Sequence, residues 1–199
     1  MSAAERAIVL EHLASVDVDV RPVPYPEHST VEEGKRLRGD LPGTFTKNLL
    51  LRDKKSNLYF LTAHEDAEID LRTLHTRIGA RGRMGFASVE VMEERLHVGP
   101  GTATPLALVH DPDAEITLVV DQGLEHADQL NFHPMVQSES IGLTWEEFTR
   151  FAHSTGHPPV LAAMSGPQDD PTSPTPGGTL SGRPSRTPPT PSIPPGPGG

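Results

Sequence analysis

The sequence predicts an α+β domain: a compact, mixed, mostly antiparallel and barrel-like sheet flanked by helices. Three observations carry that prediction. Strand-like and helix-like stretches are interleaved without the regular alternation that builds a parallel sheet. Several connections between them are of hairpin length, and hairpins join antiparallel strands. About 164 residues precede a break in composition, enough chain for one substantial core.

From the N-terminus, residues 3–14 put Ile8, Val9 and Leu13 on one face of a helix. VDVDVRPV alternates apolar and polar from Val16 to Val20, which predicts a half-buried strand, and Pro22, Pro24 and Pro26 end it. VEEGKRLRG reads as a short helix with Ser29 or Thr30 as N-cap. LPGT turns the chain into TFTKNLLLRD, a strand whose lone lysine, Lys47, stands ahead of three leucines. DKKSN connects this strand to a second one, LYFLTA. Asp70 caps a helix through about Ile78, with Leu71, Leu74 and Ile78 at helical spacing and Gly79 as its stop. Ser88 opens a further short helix, VEVMEERL. The loop GPGTATP leads into LALVHD, and ITLVVD is the next strand. QLNFHPM and SIGL are shorter extended candidates. Thr144 and Glu147 form a capping box for WEEFTRFAHSTG, which stops at Gly156.

Composition divides the chain into 1–164 and 165–199. The second part holds eleven prolines and seven glycines, and its only large apolar residues are Leu180 and Ile193. Such a segment cannot bury enough apolar surface to offset its ordering entropy, so a disordered tail with local polyproline character is expected. There is no cysteine, which excludes disulfides and thiolate nucleophiles. No apolar run approaches the ~20 residues of a membrane helix. MSAAERAIVLEHL is interrupted by charge and does not read as a signal peptide. A soluble cytoplasmic protein is the expectation.

The net charge of −10 argues against a general nucleic-acid coat. Its distribution is uneven. Residues 35–55 carry Lys35, Arg36, Arg38, Lys47, Arg52, Lys54 and Lys55 against two aspartates, whereas 101–164 hold one Arg, Arg150, and nine acidic residues. One half could offer phosphates a basic face. The plainer reading is a set of solvated charges.

Several chemistries are excluded. No Gly-x-Ser-x-Gly elbow, P-loop or dinucleotide fingerprint is present. His153 and His157 have metal-ligand spacing, but Gly156 and Pro158 flank His157, so two surface histidines are expected. Asp111 and Asp113 about Pro112 read as a simple turn. Three features remain. Thr46-Lys47-Asn48 sits at the head of the leucine strand, where Lys47 points opposite to Asn48. Gly101-Thr102-Ala103-Thr104-Pro105 is a loop of small residues that lets main-chain amides approach a ligand. Asn131-Phe132-His133-Pro134 places a histidine in an extended segment. Taken singly, they read as a surface lysine, an ordinary loop and a structural histidine.

Together and in this order they resemble the bacterial free-standing prolyl-tRNA editing proteins, trans-editing deacylases related to the insertion domain of prolyl-tRNA synthetase. The resemblance rests on TVEE at Thr30–Glu33, LPGTFTKNLLLRDKK, ERLHVGPGTATPLALVHD, NFHP and FTRFAHSTGHPPVL, and runs from roughly residue 5 to 163. Where relatives carry an asparagine and a threonine after FHP, this chain has MVQSES. The resemblance implies a synthetase-associated editing fold without metal or cofactor. It implies a hydrolase that clears a small amino acid, alanine foremost, from tRNA(Pro). Lys47 and Asn48 would be catalytic. Thr30, Thr46, Gly101, Thr102, Ala103, Thr104, Pro105, Phe132 and His133 would bind substrate. The partner would be the acceptor end of tRNA(Pro), with prolyl-tRNA synthetase as a second candidate and neither membrane nor DNA. The terminal adenosine's 2′-hydroxyl would help activate water. Two alternatives stay open: serine, cysteine or 2-aminobutyrate as the residue cleared, or a non-catalytic module that binds tRNA or synthetase.

Overall fold

Helices and strands alternate irregularly in the computed structural model, which describes residues 3–26 and 30–164. The predicted tail at 165–199 lies outside the described residues, as does Ser29. The chain runs through α1 (Ala3–Ser15), β1 (Val23–Pro24), α2 (Val31–Leu37), β2 (Thr44–Arg52), β3 (Leu58–His64), α3 (Leu74–Ile78), β4 (Gly85–Phe86) and α4 (Val89–Leu96). A 3₁₀ helix (Pro105–His110), β5 (Ile116–Asp121) and a second 3₁₀ helix (Gln122–His126) follow. The described part closes with β6 (Leu130–Phe132), β7 (Glu139–Leu143), α5 (Trp145–Ser154) and β8 (Val160–Ala162). No helix among the described residues is long and apolar enough to cross a membrane.

The strands form one mixed sheet in the order β1-β7-β6-β2-β3-β5-β8, with β4 also on β2. The β1–β7, β2–β3, β2–β4 and β6–β7 ladders are antiparallel, and β2–β6, β3–β5 and β5–β8 are parallel. The leucine run of β2 is explained by burial on both faces, which removes the alternation of a half-exposed strand. Leu50 and Phe60 face a core that also takes Val9 and Leu13 of α1, Leu106 and Leu108 of the first 3₁₀ helix, and Phe148 and Phe151 of α5. Leu51 and Leu61 face a second core with Leu74, Met84, Val119 and Ala162.

Local signals placed most boundaries. Thr30 caps α2 by accepting from Glu33 N at 3.1 Å. Thr144 and Glu147 make the reciprocal capping box of α5. Gly79 ends α3 in the left-handed region at φ 69°.

Four expectations are corrected. VDVDVRPV is not a strand: the chain turns at Asp17 (φ 58°), Val16 N and Val18 N both bond Leu13 O, and pairing begins only at Val23. Val18 is nonetheless buried, so the alternation reported burial without a ladder. Ile8 is exposed rather than part of the α1 apolar face. Asp70 accepts from Arg72 N, but regular helix starts only at Leu74. His157 is buried rather than on the surface, with Nε2 3.1 Å from Asp111 Oδ2. Asp111, itself buried, also accepts from Ile116 N and Arg95, so the Asp-Pro-Asp turn anchors part of the core. β4 and β8 were not anticipated, because two- and three-residue strands carry no period.

Asp53 ties the β2–β3 connection together. Its carboxylate accepts from Lys55 N at 2.7 Å, Asn57 N at 3.0 Å, Asn57 Nδ2 at 2.8 Å and Arg81 N at 3.0 Å. Burial acts to raise its pKa, but the Asn57 side chain and the three main-chain amides outweigh burial and hold it at about 2, below the ordinary 3.8. A folded-state pKa below the unfolded one means stability that is present above about 3.8 and lost as pH falls towards about 2. Urea midpoints measured from neutral pH down through this window should fall steeply for the wild-type chain. For Asp53→Asn they should start lower and fall less.

Candidate active site

The site forms where β2 changes partners. Opposite β3, its edge pairs with β6 at Thr44 and Phe45 and with β4 at Leu51 and Arg52. The stretch between has no ladder partner on that side among the described residues. A cavity of about 50 Å³ opens beside it. Thr46, Asn48 and Phe45 of β2 line one wall, Asn131, Phe132 and His133 of the β6 segment another, and Tyr25, Gly34, Glu65 and Ser140 close it.

Each side chain is held by a neighbour. Thr46 Oγ1 donates to Asn131 O at 3.3 Å and accepts from Asn48 Nδ2 at 3.3 Å. Asn131 Nδ2 donates to Pro42 O at 2.8 Å. This last contact requires glycine at 43: its φ is +98°, and a Cβ there would lie 2.5 Å from Asn131 Nδ2. His133 Nδ1 lies 2.8 Å from Glu139 O; a carbonyl only accepts, so Nδ1 carries the proton. Tyr25 stacks on Phe45 at 5.8 Å and meets His133 edge-on at 5.2 Å.

The electrostatics centre on Glu65. Arg38, the C-cap of α2, grips its carboxylate in two parallel bonds of 2.7 and 2.8 Å. The same guanidinium lies 3.9 Å from the centre of the Phe45 ring. Lys35 bonds Asp66 and stands 4.0 Å from Glu65. Burial raises the pKa of Tyr25 despite the adjacent Arg38. Beneath the charges, Asn48 Oδ1 and its cross-strand neighbour Thr62 Oγ1 are buried without a hydrogen-bond partner. Of the two residues, Asn48 lines the cavity, and a bound group with an N–H or O–H donor would satisfy its Oδ1.

The cavity therefore gathers Thr46, Asn48, Phe132 and His133 of the residues the sequence singled out. Lys47 does not line it. Strand alternation turns Lys47 toward the face of Leu49, Leu51 and its cross-strand partner Ala63. Its charge acts on Asp66, the next residue after Glu65, and helps lower the Asp66 pKa, mainly set by the Lys35 bond. Lys47 is thus not among the residues that line the cavity. Thr30 is exposed and serves as a helix cap. Gly101, at φ +81°, approaches Gln137, whose Nε2 would be 3.5 Å from an added Cβ. Thr102 Oγ1 donates to Gly99 O at 2.9 Å, Thr104 caps the following 3₁₀ helix, Pro105 is buried and Ala103 packs on the main core. None of Gly101–Pro105 lines this cavity. Tyr25, Arg38 and Glu65 escaped the sequence reading. The one local sign was the acidic pair Glu65–Asp66 that follows β3.

A wider hollow of about 630 Å³ lies beside Thr44, His64, Asp121 and His126. It is larger, but its carboxylate Asp121 is committed to Met164 N and Gly123 N, whereas the smaller cavity carries the unsatisfied buried acceptor.

The family profile described as aminoacyl-tRNA editing domain matches residues 25–151, a span that holds every residue lining the small cavity. The chain belongs to the aminoacyl-tRNA editing domain family. Prolyl-tRNA synthetase associated domain-containing protein 1 of Bos taurus is 38% identical over 166 residues, covering 81% of this chain and 96% of that protein. The prolyl-tRNA editing protein ProX of Acetoanaerobium sticklandii is 26% identical over 158 residues, covering 79% and 96%. The crystal structure of hypothetical protein APE2540 shares the fold, with a TM-score of 0.62 at 20% identity over 78% of this chain and 97% of that one. The mixed sheet with flanking helices is thus the fold of this editing domain.

Gly43→Ala should strain the turn and displace Asn131 from Pro42 O. A loss of about 1–3 kcal/mol in unfolding free energy is expected from denaturant titration.

Proposed function

We infer that this editing-domain protein is an aminoacyl-tRNA deacylase that hydrolyses small residues, alanine foremost, from mischarged tRNA(Pro). The observation that carries the reading is the small cavity of about 50 Å³, where Glu65 and the unpaired Asn48 Oδ1 offer acceptors beside aromatic rings. On this reading the cavity accepts a methyl side chain and turns away a pyrrolidine ring. A synthetase pocket built for proline discriminates poorly against a smaller residue, since each missing methylene is worth only about 1–3 kcal/mol. A second, smaller sieve removes the error by steric exclusion of the cognate amino acid.

In this reading the substrate's α-ammonium enters among Glu65 and Asn48 Oδ1. Glu65 accepts two hydrogen bonds from Arg38 and keeps lone pairs for a further donor. Asn48 Oδ1 gains the donor it lacks. Lys47 and Lys35 meet the phosphates of the 3′ end, and the basic stretch from residue 35 to 55 steers the acceptor stem. Water adds to the ester carbonyl with assistance from the ribose 2′-hydroxyl. The tetrahedral intermediate collapses, the C–O bond to the ribose breaks, and the ribose oxygen takes a proton. Alanine and free tRNA result. The ester is labile, so positioning and charge stabilisation suffice, and the cavity needs no nucleophilic side chain. The cytoplasm is the compartment this substrate implies, with prolyl-tRNA synthetase as a candidate partner.

Purified protein should release alanine from Ala-tRNA(Pro) and spare Pro-tRNA(Pro). A panel of charged tRNAs including serine, cysteine and 2-aminobutyrate ranks the residues accepted. Asn48→Ala and Glu65→Gln should each lower kcat/KM by about tenfold or more, equivalent to the loss of one buried charged or amide contact. Lys47→Ala should weaken turnover and its dependence on ionic strength together. Absence of turnover on every charged tRNA, with binding retained in a gel shift, would overturn the catalytic reading in favour of a binding module.

A further inference from the structure

His97 and His110 bracket the segment that carries Gly101–Pro105, and the fold brings both to Glu5 of α1. His97 is the left-handed C-cap of α4, at φ 54°, and His110 ends the first 3₁₀ helix. Their rings stack with centroids 4.2 Å apart and planes 30° from parallel. Glu5 reaches one ring with each oxygen: Oε1 is 3.3 Å from His97 Nδ1, and Oε2 is 2.8 Å from His110 Nε2. One ligand atom from each residue lies within 4.8 Å of the other two. The His110 side chain is only 10% exposed, and its Nε2 lies 2.8 Å from Glu5 Oε2.

We propose that Glu5, His97 and His110 form a binding site for one divalent first-row transition-metal ion, zinc above all. Two imidazoles and one carboxylate are a ligand set that zinc accepts, with water in the fourth position. Tetrahedral zinc at its usual bond lengths spaces ligand atoms ~3.4 Å apart, and the three ligand atoms here lie within 4.8 Å of one another, so small side-chain rotations would bring them onto one ion. Imidazole ligands select against magnesium and calcium, which take oxygen. His97, 48% exposed, opens the site to incoming ions. The three ligands come from α1, the end of α4 and the end of the 3₁₀ helix. A bound ion therefore braces both ends of residues 97–110 against α1 and holds the intervening small-residue loop. None of the three lines the cavity assigned to the aminoacyl group, so the ion is structural and takes no part in hydrolysis. The site stands independently of the deacylase reading.

The test uses the full chain, stripped with a chelator, dialysed and titrated with zinc chloride by calorimetry, with bound zinc counted by elemental analysis. One equivalent should bind and raise Tm, and cobalt(II) should give the visible absorption of a tetrahedral N/O site. Glu5→Gln, close in shape to the native residue, and His110→Ala should each lose the stoichiometric site. His153→Ala, on the exposed face of α5, should keep it. Melting of the metal-free variants by circular dichroism checks that they fold. If His110→Ala does not fold, Glu5→Gln and His97→Ala decide. Less than one equivalent on the wild-type chain, or a site retained in Glu5→Gln and in every folded histidine variant, overturns the proposal.

Discussion

Strand β2 is the constraint on which the rest of the structure depends. Its residues alternate between two cores, so Leu50 and Leu51 point in opposite directions and neither meets water. On one edge it carries the whole β3 ladder. On the other it is shared between β6 at the start and β4 at the end. A strand buried on both faces has no freedom to slip, because a one-residue shift would send Thr46 and Asn48 into the place of leucines. The gap between β6 and β4 is therefore held open by the same packing that fixes the strand, and the cavity occupies that gap.

The wall of the cavity links charge to aromatic surface in one continuous arrangement. Glu65 is gripped by Arg38, Arg38 lies on Phe45, Phe45 stacks on Tyr25, and Tyr25 meets His133. A partly buried ion pair of this kind is a weak source of stability, because desolvation opposes the attraction between its members. Its value lies in position. The guanidinium fixes the Glu65 carboxylate at the margin of a small hollow, and the Phe45 ring lies against the guanidinium.

Much of the fold was legible because its signals are local. Thr30, Thr144 with Glu147, Ser88, Gly79 and Gly156 act within a few residues of themselves, and each marks a helix end in the structure. The leucine run and LYFLTA read correctly as strands for the same reason. Misreadings came where a local pattern lacked its distant partner. VDVDVRPV alternates as a strand does, but no neighbouring strand reaches it before Val23. His157 follows a helix stop, which suggests exposure, yet Asp111 draws it into the core. Within the site, Thr46, Asn48, Phe132 and His133 stood out by motif, and alternation alone places Lys47 on the other side of the strand from Asn48.

The sequence by itself determined the helix ends, the two apolar strands, the absence of thiol chemistry and the grouping of motifs that marks an aminoacyl-tRNA editing domain. These follow from interactions between near neighbours in the chain or from composition. Only the tertiary structure decided that Tyr25 and Glu65 would join Asn48 and His133 around one hollow, that Arg38 would grip Glu65, and that Glu5 would meet two histidines. Those contacts join residues tens of positions apart, and they exist only because the buried strand β2 and the helices packed on its cores leave the chain no other way to satisfy its backbone.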